Sequence, residues 1–77
     1  MPSAYTKRSG EYAYVVTVTK DETVRLARRY CAHLSSAERM DGRLVPIQID
    51  VPDTYGPTVT EAMRALDACV EAWRLKH

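Results

Sequence analysis

Residues 19–39 read TKDETVRLARRYCAHLSSAER, and the conformation of this stretch decides the architecture of the chain. Turned at about 100° per residue, it makes an amphipathic helix. Val24, Ala27, Tyr30, Cys31 and Leu34 gather on one side. Arg25, Arg28, Arg29 and Arg39 fall within an arc of roughly 100° on the other, with His33 and Ser36 close by. Thr19-x-x-Glu22 supplies a start, because a hydroxyl and a carboxylate three residues apart can satisfy the free amides of a first turn. Asp41-Gly42 supplies the turn after its end. Arg25, Arg28 and Arg29 have no acid four residues on, so the predicted face is underneutralised. Guanidinium groups suit two-pronged contacts with carboxylate or phosphate, which makes this face the first candidate binding surface.

On the amino-terminal side, Tyr12, Tyr14, Val16 and Val18 alternate with Ala13, Val15, Thr17 and Thr19, the period of a half-buried strand. Residues 1–8 read as either a frayed tail or a short edge strand, the strand being favoured because residues 7–10 would serve as the hairpin loop. On the other side, Val45, Ile47, Ile49 and Val51 alternate with Leu44, Pro46, Gln48 and Asp50. Pro46 cannot donate to a ladder, which puts that strand at a sheet edge or turns its proline outward. A loop over residues 50–57 leads to Thr58-x-x-Glu61 and a last helix whose stripe is Val59, Ala62, Met63, Leu66, Cys69, Val70 and Trp73. The expected fold is therefore α+β: a two-layer sandwich in (β)-β-α-β-α order, with two amphipathic helices on one face of a small mixed sheet. One domain covers residues 1–77.

Composition bounds the function. Hydrophobic residues are 45% and charged residues 27%, which excludes a disordered chain. The net charge is +1, yet residues 1–40 carry seven Lys/Arg against four Asp/Glu, and the remainder four against six. A local basic patch fits this better than a general polyanion binder. A chain of this length buries only about 60% of its unfolded surface. A homodimer is expected on that ground, through a strand edge and the smooth Ala65, Ala68, Ala72 flank of the last helix. No membrane partner is expected, since no apolar run nears the roughly 20 residues of a span, and the expected location is cytoplasmic. Cys31 and Cys69 read as reduced, core-facing thiols.

Catalytic groupings are weak at the sequence level. On a helix the side chains of Cys31 and His33 diverge by roughly 160°, which disfavours both a metal centre and a nucleophilic pair. No cofactor motif is present: Gly10, Gly42 and Gly56 are isolated turn formers. Asp50, Asp53 and Tyr55 form a secondary candidate loop, for binding or for carboxylate chemistry. Pro2 would be a base only if exposed at the amino terminus, as in small tautomerases, but the first clear strand starts ten residues later. The functional expectation is a non-enzymatic protein-binding module, an inhibitor of the phage or mobile-element kind such as an anti-CRISPR protein or antitoxin. It would dock on a larger protein, or a protein-nucleic acid complex, with an acidic patch. The alternative is a nucleic-acid-binding dimer using the same arginines, with Tyr5, Tyr12 and Tyr14 beside Lys7 and Arg8 to stack bases. The third is a small enzyme acting through Asp50 and Asp53 or Pro2.

Overall fold

The computed structural model of the chain describes residues 3–76; Pro2 and His77, and with Pro2 the idea of an amino-terminal base, lie outside them. Strands β1 (Ser3–Ser9), β2 (Tyr12–Lys20), β3 (Tyr30–Met40), β4 (Leu44–Ile47) and β5 (Thr54–Gly56) precede a single helix, α1 (Val59–Lys76). The sheet order is β1-β2-β3-β4, with β5 also pairing β3, and every pairing is antiparallel. Of the described residues, strand accounts for 46% and helix, a single 3₁₀ turn included, for 28%, which overturns the predicted two-helix sandwich and its mixed sheet.

The correction lies in residues 19–39. Thr19 belongs to β2, not to a helix cap, and Asp21 instead turns the chain by accepting from the Thr23 amide (2.9 Å) and hydroxyl (2.6 Å). A single 3₁₀ turn follows at Leu26–Arg28, and then β3 begins. Tyr30, Ala32 and Leu34 pack into the core. Between Val15 and Val16 the register against β3 shifts, from Val15↔Ser36 to Val16↔Leu34. Ser35 is the surplus residue of a β-bulge, and beyond it Ala37 returns to the core.

The hairpin of β1 and β2 turns tightly at Gly10-Glu11, with Ser9 paired to Tyr12 and Gly10 at φ +59°. At the far edge, β4 and β5 are one interrupted strand. Ala37 pairs with Ile47 and Ala32 with Thr54, so two extra residues bulge from residues 48–53. Ile49 drops into the core there, and Pro52 supplies no amide to the ladder. Pro46 sits on this edge opposite Glu38.

Helix α1 covers one face only. Ala62, Leu66 and Val70 bury against Tyr14, Val16, Val18 and Ala32. Gly56 admits the helix start closely, since a Cβ there would lie 2.7 Å from the Ala62 amide nitrogen. Polar clamps tie the helix to the β1-β2 hairpin. The Tyr14 hydroxyl donates to Asp67 (2.7 Å), Lys7 pairs with Asp67 (3.3 Å), and the Ser9 hydroxyl donates to Glu71 (2.7 Å), which also holds Arg74. The Tyr12 ring meets Trp73 edge-on at 5.3 Å. Tyr12 and Tyr14 are thus buried, and the predicted base-stacking tyrosine cluster does not form. Both cysteines are free and half-buried. Among the described residues, no helix is long and apolar enough to cross a membrane.

Candidate binding site

The loop over residues 21–29 closes on itself between the end of β2 and the start of β3. The Asp21 amide donates to the Arg29 carbonyl (2.8 Å), and the Arg28 and Arg29 amides donate back to Arg25 and Leu26 (2.9 and 3.2 Å). This tight turn displays side chains outward instead of burying them. Val24 and Leu26 are exposed, Leu26 at 59%, and stand among Arg25, Arg28 and Arg29. The guanidinium of Arg28 lies 4.2 Å over the Tyr55 ring, a stacked arrangement that leaves its edge donors open to solvent.

Tyr55 reaches this loop because β5 pairs with the first residues of β3, Tyr55 opposite Cys31. The result is an open cleft of about 620 Å³, lined by Thr19, Thr23, Arg25, Arg28, Arg29 and Tyr55 among others. Arg29 is half-buried in its wall, and its Nε is buried without a hydrogen-bond partner. A buried donor without an acceptor is uncommon in folded proteins. Acidic neutralisation is sparse. Glu22 is held below the usual carboxylate range by its bond and charge contact with Lys20 (3.0 Å), with Arg29 contributing least.

The strand geometry alters the chemistry beside the cleft. Residues two apart on a strand share a face, so Cys31 and His33 point the same way instead of diverging. Asp53 bridges them: His33 Nδ1 donates to its Oδ1 (2.7 Å), and the Cys31 thiol lies 4.0 Å from its Oδ2. The thiol is pushed up by burial first and by the Asp53 charge second, which outweigh the opposing pull of Tyr55 and Arg28. A protonated thiol is a poor nucleophile. Among the described residues, no group of three or more His, Cys, Asp or Glu side chains could hold a metal ion.

The predicted site residues therefore divide. Arg25, Arg28 and Arg29 assemble with Tyr55 of the secondary loop, and His33 and Asp53 adjoin them. Arg39 lies at the other end of β3, 3.7 Å from Asp41. Asp50 sits on the helix side of the sheet, beside Cys69, Ala72 and Trp73, so the two aspartates do not converge. Thr19, Thr23, Val24 and Leu26 were missed, since the helical reading gave Thr19 to a cap and Val24 to the core.

No family model matches the chain, and neither a curated protein nor a solved structure matches it.

Proposed function

We propose that the protein is a non-enzymatic binding module, an inhibitor or adaptor that docks on an acidic surface of a larger protein through the loop over residues 21–29 and Tyr55. The observation that carries this reading is the mixture on the loop. Exposed Val24 and Leu26 stand between Arg25, Arg28 and Arg29. Arginine together with apolar and aromatic groups is what protein interfaces concentrate. A phosphate backbone has use for the arginines but none for the aliphatics. The nucleic-acid reading also loses its stacking platform with the burial of Tyr12 and Tyr14.

Two variants test the reading. Arg25→Glu/Arg28→Glu/Arg29→Glu should leave the melting temperature within a few degrees of wild type, because Arg25 and Arg28 are exposed and Arg29 is only half-buried. It should abolish retention of the partner on the immobilised chain. Val24→Ser/Leu26→Ser should weaken a protein partner but leave oligonucleotide binding unchanged. Retention of short oligonucleotides that falls steeply with salt, indifferent to the second variant, would favour nucleic acid. A triple reversal that still holds its partner would overturn both.

A further inference from the structure

The two edges of the sheet are unequal. One is broken by Pro46, the bulge of residues 48–53 and Pro52. The other is β1, which pairs with β2 from Ser3↔Val18 to Ser9↔Tyr12 with no shift in register and contains no proline. Its outer side has no strand beside it among the described residues. Such an edge is a template for another strand unless something blocks it.

We propose that a second copy of this chain pairs with β1, antiparallel about a two-fold axis at Thr6. That register sets Thr6 opposite the partner's Thr6, Tyr5 opposite the partner's Lys7, Ala4 opposite the partner's Arg8 and Ser3 opposite the partner's Ser9. Each cation then meets a neutral residue, and Lys7 meets an aromatic ring that can receive it. The neighbouring registers are less complete: centring on Tyr5 shortens the paired stretch to Ser3–Lys7 and sets Lys7 opposite Ser3 in place of a ring. Centring on Lys7 would oppose two ammonium groups, and a parallel, in-register pairing would align both Lys7 and Arg8 with themselves. The Asp67 carboxylate, 3.3 Å from Lys7, further reduces the repulsion that a basic edge strand presents.

The helix side of this edge fits the same occupant. A groove of about 580 Å³, lined by Tyr5, Lys7, Val59, Met63, Arg64 and Asp67, runs between β1 and α1, and Tyr5 is 37% exposed in it. A two-fold axis perpendicular to the sheet keeps both helices on one face and joins the two grooves across the seam, covering Tyr5. The loops of residues 21–29 adjoin the Ser3 end of β1, through Val18 and Lys20 of β2. Antiparallel pairing therefore sends the two arginine clefts to opposite ends of one continuous sheet, an arrangement suited to two partner molecules.

Cross-linking tests the register. Thr6→Cys should form a disulfide-linked species of twice the 8.7 kDa chain mass under mild oxidation, since residues facing one another on antiparallel strands lie about 4.5 to 5.5 Å apart at Cα. Ala4→Cys and wild type, with its half-buried cysteines, should not. Light scattering on the unmodified chain should give the dimer mass. Tyr5→Lys, which places like charges opposite one another twice across the axis, should raise the dissociation constant about tenfold, while Tyr5→Glu should preserve or tighten the dimer. Circular dichroism on each variant separates loss of pairing from loss of fold. A wild-type chain that stays monomeric, or a dimer that ignores both Tyr5 substitutions and leaves Thr6→Cys unlinked, overturns the proposal.

Discussion

The two faces of the sheet are made of different chemistry. Under α1, the β2 residues Tyr12, Tyr14, Val16 and Val18 are all buried, and polar clamps to Asp67 and Glu71 fasten the layers. On the other face stand Thr17, His33, Ser35 and Ser36, short or polar side chains that bond to neighbours in the sheet region, as Thr17 does to Ser35 and His33 to Asp53. Apolar burial contributes about 25 cal/mol per Å², so one face supplies the stability. The other is left to display groups. A single-layered cover thus allows binding residues to vary without disturbing the core.

The sharpest way to break this contrast is to strike both faces. Leu66 is completely buried. Leu66→Ala should cost about 2 to 5 kcal/mol, a large share of the roughly 5 to 15 kcal/mol that holds a typical domain together. The thermal transition should broaden or vanish. Thr17→Ala, on the open face, should shift stability by about 0.5 kcal/mol or less. Comparable losses at the two sites would mean that the open face is covered by something that matters to folding.

Tyr14→Phe is a smaller probe of the clamps. It removes the hydroxyl that donates to Asp67 while preserving the ring, and should cost about 1.5 kcal/mol, with Lys7 left to hold the carboxylate. Burial, then the bond and charge of Asp67, push the Tyr14 phenol well above its ordinary value. Above the ordinary tyrosine range the unfolded chain has released a proton that the folded chain retains, so stability must fall as pH rises there. Urea midpoints measured into alkali should show this decline in wild type and a shallower one in Tyr14→Phe.

The alternation in β2 and the final helix were legible in the sequence because each has an undisturbed period; the edge position of Pro46 was legible too, but the strand predicted over residues 44–51 stops at Ile47, and β5 forms inside the predicted loop of residues 50–57. Residues 30–40 have no such period. The bulge at Ser35 switches the parity of β3, so of its inward residues Tyr30, Ala32, Leu34 and Ala37 all but Ala32 stand at i, i+4 and i+7, the spacing of a helix. Leu, Arg and Ala reinforced that reading through helix propensity, a preference that pairing with two neighbouring strands overrides. The candidate site was partly legible for a related reason. Arg25, Arg28 and Arg29 have no acid four residues on in the sequence, and in the turn they make no ion pair within 4 Å among the described residues, although Asp21 lines the same cleft and Glu22 feels the charge of Arg29. Arg39 was grouped with them only by helical rotation. Tyr55 could not be placed against Arg28 without knowing that β5 pairs with the start of β3.

The smallest expected effect belongs to the clamp at the helix end, and it separates two accounts of the covered face. Glu71 accepts from Arg74 and from the Ser9 hydroxyl, which hold its carboxyl below the ordinary glutamate range, Arg74 contributing most. A depressed folded value means that the unfolded chain binds a proton first as the solution is acidified. The contribution is therefore complete above the ordinary glutamate range and disappears as pH falls through the folded value. Glu71→Gln keeps an acceptor for Ser9 but removes the charge, so it should lower the neutral-pH urea midpoint slightly and flatten the acid limb of the stability profile. The solvent-exposed setting of this pair keeps the change small, because water screens the charges. If Glu71→Gln follows the wild-type profile throughout, the end of α1 is held by the Tyr12–Trp73 contact and its apolar stripe, and the difference between the two faces reduces to burial alone.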